Sequence, residues 1–451
     1  MNREAVLIFD LGKTNKKVLV FDRALKLLHE DEQVFDETTD EDGFEADDIE
    51  GIEAWIGESC QHLLNHPGFE ISGINFCSYG ASLVYLDDAG KRIGPLYNYL
   101  KTMPEGIAEA LYERHGGAEE FCRKTASPAL GMLNSGLQPL WLQKCKPAFY
   151  SQVKHILHLP QYLCYLLSGK IGAEHCSIGC HTALWDFEQM CYHPWTRELG
   201  RTLPEPLPVE SSFPATVAGK DVACGIGIHD SSASLAPYFM HSDQDFMLLS
   251  TGTWCISMNP FNPEPLSAEE LKNDCLSYLS IQQKPVKSAR FFLGHIHDLN
   301  VDRLCKAFSK NKTAYKEVGL NRKLLNRLMK EAPTFFAEGL PEAYLDRDVD
   351  LTVFTGFEEA YHRFMIDLTK LAIESVRLVI PKKDRTKRLY ISGGFSKNPI
   401  FLELLRMAFP EKRVLAADIA NASSLGAAMV LWKSMDRNFT APVKLTEDSA
   451  E

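Results

Sequence analysis

Two segments of this chain share one plan: an apolar strand, a short polar turn built on glycine, then a second apolar strand. The first runs from Val6 through Asp10, Gly12, Lys13, Thr14 and Asn15 to Phe21; the second runs from Phe246 through Thr251, Gly252 and Thr253 to Met258. Val6 to Phe9 and Val18 to Phe21 are rich in β-branched and aromatic residues, as buried strands require. Gly12 lets the backbone pass close to a ligand, while Thr14 and Asn15 offer a hydroxyl and an amide. Turn amides, a hydroxyl, Lys13 and Lys17 beside the Asp10 carboxylate make a place for a phosphate and its metal ion. A plain β-hairpin with a polar turn explains the first segment as well, and its residues leave the two readings level. The recurrence predicts two similar α/β halves facing each other across a cleft.

Length supports that division. At 451 residues the chain exceeds one ordinary core, so two domains are expected, 1–237 and 238–451. A net charge of −12 leaves no surplus of Lys and Arg to neutralise a phosphate backbone, which argues against nucleic-acid partners. No apolar run is long enough for a membrane span and the start lacks a signal-peptide pattern, so the expected location is the cytoplasm. The twelve cysteines are scattered singly, and reduced core thiols are expected. His175, Cys176, Cys180, His181, Cys191 and His193 lie near one another, but at the spacing of no common zinc module.

Between the hairpins, Asp36 to Glu50 reads as a solvated acidic loop, followed by a helix carrying Trp55, Ile56, Leu63 and Leu64. Ile71 to Cys77 and Leu83 to Leu86 read as strands, and residues 137–167 show helical periods. Leu203 to Val209 is a proline-rich connection, neither helix nor central strand. Beyond it, Gly225 to Asp230 places a carboxylate between a glycine-relieved strand and a helix. Near the end come a helix over Tyr361–Ile380, a strand over Arg388–Ile391, the turn Ser392–Pro399 and a small-residue helix after Asn421. Gly12-Lys13-Thr14 lacks the upstream glycine of a Walker A loop, and Gly225-x-Gly227 lacks the third glycine of a dinucleotide fingerprint.

In this order the motifs resemble the FGGY carbohydrate kinases, within the superfamily of sugar kinases and actin. The resemblance extends from Val6 to about Leu431. It rests on the Asp10–Lys17 turn, the run from Ile156 to Gly169, the Ser250–Trp254 hairpin, the Ser392–Asn398 turn and Ser424-Leu-Gly426-Ala-Ala. It implies two actin-like ATPase domains, an N-terminal sugar and phosphate-loop domain and a C-terminal nucleotide domain, with ATP and Mg²⁺ as cofactors. Asp230 falls on the family's catalytic base, although the residues alone favour a helix N-cap there. Asp10 would hold Mg²⁺ through water. Gly12, Lys13, Thr14, Asn15, Lys17, Thr251, Gly252, Thr253, Gly393, Gly394 and Asn398 would serve the nucleotide.

Tyr79, Gly80, Ser82, Tyr99 and His229, with Asp230, fall on the sugar side. Ser82 and Tyr99 stand where acidic residues are usual, and His229 and Trp254 lean toward the rhamnulose and fuculose kinase branch. That implies phosphorylation of a ketose at a primary hydroxyl, a 6-deoxyketohexose (L-rhamnulose or L-fuculose) being favoured. The alternatives are a xylulose or ribulose-type ketopentose kinase, or a weakened sugar-binding regulator of the same fold. A small sugar is the expected partner, and a homodimer is left open. Lys13 departs from the family pattern, and an ammonium on the phosphates and one turned to solvent are equal expectations.

Overall fold

A computed structural model describes residues 3–441 apart from 202 and 418. The opening segment is a hairpin of Arg3–Leu11 and Asn15–Asp22, antiparallel with Asp10 opposite Lys17. Its first strand also pairs in parallel with Phe69–Ser78, which sets Asp10 beside Cys77. Cys77 in turn pairs with Ile228 of the short strand Ile228–His229. Asp10 and Asp230 are thereby carried to the same end of the parallel strands, where open α/β sheets hold their ligands. Outward, the sheet continues through Leu27–Val34 on one side and through Lys220–Gly225 and Ser212–Val217 on the other.

The second half repeats the plan. Phe246–Thr251 and Cys255–Asn259 form the antiparallel hairpin, and the first of them pairs in parallel with Arg388–Gly393, Thr251 opposite Gly393. Arg413–Ala416, Pro285–Phe291 and Cys275–Leu279 complete its six strands. Helix Phe357–Leu378 covers one face, with Tyr361, Phe364, Met365 and Leu368 buried in the main C-terminal core.

Helix Asp230–His241 links the halves, so the boundary expected at residue 237 falls inside a helix. The last described helix, Ala422–Met435, returns to the first sheet: Leu425, Ala427, Ala428 and Met429 pack with Val6, Ile8, Leu19 and Cys77. It crosses helix Asp230–His241 so closely that a Cβ at Gly426 would lie 1.9 Å from the Ala233 carbonyl oxygen. Small residues recur in this helix because its neighbour's backbone occupies the space.

Two local expectations are corrected. The acidic stretch after Asp36 is not simply a solvated loop: Thr38–Thr39 and Glu45–Asp47 are short strands, and Asp40 and Asp47 are buried. Residues 137–167 are not continuously helical, because His155–His158 is a strand paired with Leu83–Leu86. The proline-rich connection is neither helix nor central strand, as expected; only Pro206 and Leu207 form a short two-stranded pairing, with Ala173 and Glu174. No described helix is long and apolar enough to cross a membrane.

Candidate active site

Asp230 occupies the first turn of its helix, and His229, not Asp230, is the N-cap. The N-cap alternative for this carboxylate is therefore set aside. Its Oδ1 accepts from the Ser231 amide, and His229 Nε2 lies 3.2 Å from the same oxygen. Burial in the cleft raises the Asp230 carboxyl to about 6, against the Ser231 hydrogen bonds, which lower it. Burial also holds His229 down to about 4, so at neutral pH the ring adds no positive charge to the pair. The carboxylate borders two cavities. One, of about 330 Å³, is lined by Ser231, Ser250, Gly393 and Ser423. The other, of about 1020 Å³, is lined by Tyr79, Tyr99, His181, Trp254 and Arg290.

Asp10 accepts a hydrogen bond from Ser424 Oγ at the start of the final helix. Burial raises its carboxyl most, Ser424 lowers it, and the nearby Asp230 charge raises it again. Two carboxylates in one partly dry cleft are what a divalent cation would relieve. Among the described residues no three His, Cys, Asp or Glu side chains converge as a metal site. Asp10 thus fits an ion such as Mg²⁺ that keeps most of its coordination for water and phosphate. Lys17 donates to Glu30 at 2.8 Å and to Asn421 at 3.2 Å, tying the hairpin to the loop before the last helix.

At the second hairpin, Gly252 and Thr253 are exposed. The Thr251 hydroxyl is already used: it donates to the Ser392 carbonyl and accepts from the Phe395 amide at 3.1 Å. Instead of facing outward, it fastens the Ser392–Asn398 turn to the hairpin. Gly393 has φ +80°, and a Cβ there would lie 1.9 Å from the Thr251 carbonyl oxygen, so only glycine fits. Beside Gly394 the space is open: beyond its chain neighbours, nothing lies within 4 Å of the place a Cβ would take. Asn398 caps helix Pro399–Ala408, accepting from the Ile400 and Phe401 amides, and donates to the Tyr361 hydroxyl at 2.9 Å. Its polar groups serve the fold.

Lys13 follows neither expectation. Its Nζ donates to Asp47 Oδ2 at 2.7 Å and stands 5.8 Å from the ring centroids of both Tyr79 and Tyr99. Tyr79, Gly80, Tyr99 and His229 all line the larger cavity. Ser82 does not: it faces a separate space of about 10 Å³ beside His158 and Ser177, too small for a sugar. The structure adds residues that sequence reasoning missed. Asp47 anchors Lys13, Ser424 holds Asp10, and Arg290 lies 5.3 Å over the Trp254 ring at the cavity wall. His181 lines the cavity at φ +51°, with Nδ1 buried and without a hydrogen-bond partner. Its strained backbone is the kind of outlier found where a side chain must be aimed.

Comparison with known proteins decides the family. Residues 5–204 match the FGGY family of carbohydrate kinases, N-terminal domain, and residues 243–438 match the carbohydrate kinase FGGY, C-terminal domain. This chain belongs to the FGGY carbohydrate kinases. A rhamnulokinase of Yersinia pestis (strain Pestoides F) is 27% identical over 231 residues, 48% of this chain and 45% of that protein. The chain thus spans about half the length of the curated relatives it matches. A carbohydrate kinase structure from Novosphingobium aromaticivorans superposes with TM-score 0.77 at 24% identity, covering 98% of this chain and 93% of that one. A ligand-bound xylulose kinase from Lactobacillus acidophilus gives TM-score 0.75 at 15% identity, covering 96% and 90%. These FGGY likenesses carry the fold: two actin-like α/β domains about a cleft.

Proposed function

We propose that this FGGY kinase uses ATP and Mg²⁺ to phosphorylate a ketose at a primary hydroxyl. The observation that supports it most is the position of Asp230, a carboxylate raised to about 6 between a small polar cavity and a larger aromatic one. A base of that strength is ionised near neutral pH yet still takes a proton from a reacting hydroxyl. Oδ1 is occupied by the Ser231 amide, which leaves Oδ2 to receive the proton.

Bound ATP and Mg²⁺ would supply an electrophilic phosphoryl group with partly neutralised charge. The chain's own part is alignment and electrostatics. Asp10 would hold the cation. The turn of Gly12, Thr14 and Asn15 and the exposed Gly252 and Thr253 receive the phosphates, and Gly393 and Gly394 leave bare backbone toward the nucleoside. Tyr79, Gly80, Tyr99 and His229 form the sugar side. Thr251 and Asn398 act through the turn they hold.

For the sugar, the favoured reading is a 6-deoxyketohexose, L-rhamnulose or L-fuculose, drawing on cytoplasmic ATP. The rhamnulokinase likeness supports it, as does a cavity wall of Tyr79, Tyr99 and Trp254 suited to a less hydroxylated ring face. An ADP-release assay over L-rhamnulose, L-fuculose, D-xylulose and L-ribulose tests the choice, with Asp230→Asn as control. A preference for either ketopentose would replace the deoxyketose reading. No turnover with any sugar, beside intact MgADP binding, would favour the regulator.

A further inference from the structure

We propose that Asp47 is a positioning residue that couples the wall of the sugar cavity to the phosphate turn, using Lys13 as the link. The inference rests on the kinase reading of the cleft and adds a connection between its two substrate sides.

The geometry is specific. One oxygen, Asp47 Oδ2, accepts from Lys13 Nζ at 2.7 Å and from the Tyr79 hydroxyl at 3.0 Å. The other, Oδ1, lies 3.7 Å from Lys16 Nζ, and that ammonium donates to the Lys13 carbonyl at 2.8 Å. Lys13 is therefore held at both ends, side chain and backbone, by the same small cluster. Asp47 and Lys16 side chains are 6% and 3% exposed, so this is an interior network in which each charge depends on its partner. Glu37, 3.8 Å from Lys13, is the more exposed second carboxylate.

The backbone extends the link. Strand Glu45–Asp47 pairs with Leu96–Tyr97, setting Asp47 opposite Leu96, three residues before Tyr99. Both tyrosines that flank the Lys13 ammonium thus reach the cavity from segments tied to Asp47. On the other side, Lys13 follows Gly12 directly in the turn beside Asp10. A shift of Tyr79 against a bound sugar would be felt by Asp47 and passed through Lys13 to that turn. The coupling needs a hydrogen-bond donor at Tyr79 and a cation at position 13.

The test is a double-mutant cycle on the full chain that leaves Asp47 intact, because its loss would strand the buried Lys16 ammonium. Tyr79→Phe is made in wild type, in Lys13→Met and in Lys13→Arg, which keeps a cation for Asp47. MgADP affinity is measured by calorimetry with no sugar present. Tyr79→Phe should weaken MgADP about fivefold in wild type and in Lys13→Arg, and have no further effect in Lys13→Met. Hydrogen exchange of the amides over residues 11–16, without nucleotide, should show the same pattern, faster on Tyr79→Phe unless Lys13 is already methionine. Equal effects in the wild-type and Lys13→Met backgrounds, or none in wild type, would overturn the coupling. If wild type fails to bind MgADP, the kinase reading falls, and the exchange cycle still decides the coupling.

Discussion

Replacing Asp230 by asparagine should stop phosphoryl transfer while making the protein more stable at neutral pH. The side chain is raised from an ordinary 3.8 to about 6, chiefly by burial. The folded state therefore binds this proton more tightly than the unfolded chain, and ionised Asp230 weighs against folding. The sign follows: the effect is absent below the unfolded value, grows as pH rises between the two values, and is complete above the folded one. About two units correspond to roughly 3 kcal/mol. The side chain keeps 30% of its exposure, and solvent screening reduces the gain to about 1–2 kcal/mol. Asparagine keeps an oxygen for the Ser231 amide and also removes the charge facing Asp10. Scanning fluorimetry should show Asp230→Asn melting about 2–6 °C above wild type near pH 8, the difference closing near pH 4. Turnover should fall by about two to four orders of magnitude. A variant that melts below wild type near pH 8, or a pH-independent difference, would refute the assignment of Asp230 as a desolvated base.

In wild type, kcat/KM should fall about tenfold per pH unit below about 6, because only ionised Asp230 accepts the hydroxyl proton; a flat profile down to about pH 5 would contradict it. Ser424→Ala removes the hydrogen bond that favours ionised Asp10. It should raise the Mg²⁺ concentration for half-maximal rate about three- to tenfold without a large change in melting. Gly426→Ala forces a Cβ against the Ala233 carbonyl, and thermal scans should show a loss of about 2–4 kcal/mol.

Much of the fold was legible because burial wrote it into local pattern. The two hairpins, helix Phe357–Leu378 and the small-residue helix follow from apolar period and residue size. Asp10 was legible as a candidate because it closes the first strand, whereas Asp230 read as a helix N-cap from its neighbours and was picked out only by the family resemblance. The misses have a common physical origin. Asp47 lies in an acidic run, and its burial depends on Lys13, Lys16 and Tyr79, partners that only tertiary structure brings together. Lys13 was read within its turn alone, where phosphate and solvent are the only visible choices. Thr251 and Asn398 carry ligand-type side chains, and nothing in their neighbours tells that a backbone amide has already claimed them.

The return of helix Ala422–Met435 to the first sheet also governs how the polypeptide matures during synthesis. The apolar face formed by Val6, Ile8, Leu19 and Cys77 is made early, but its cover is translated only after the entire second half. Counted from Cys77 to the end of the covering helix, the ribosome must deliver about 350 further residues before that face is closed, at roughly 5–20 residues per second. A nascent chain therefore carries an open hydrophobic seam for tens of seconds. Circular permutants that move this helix ahead of residue 3 would let the first half close its core as soon as it emerges.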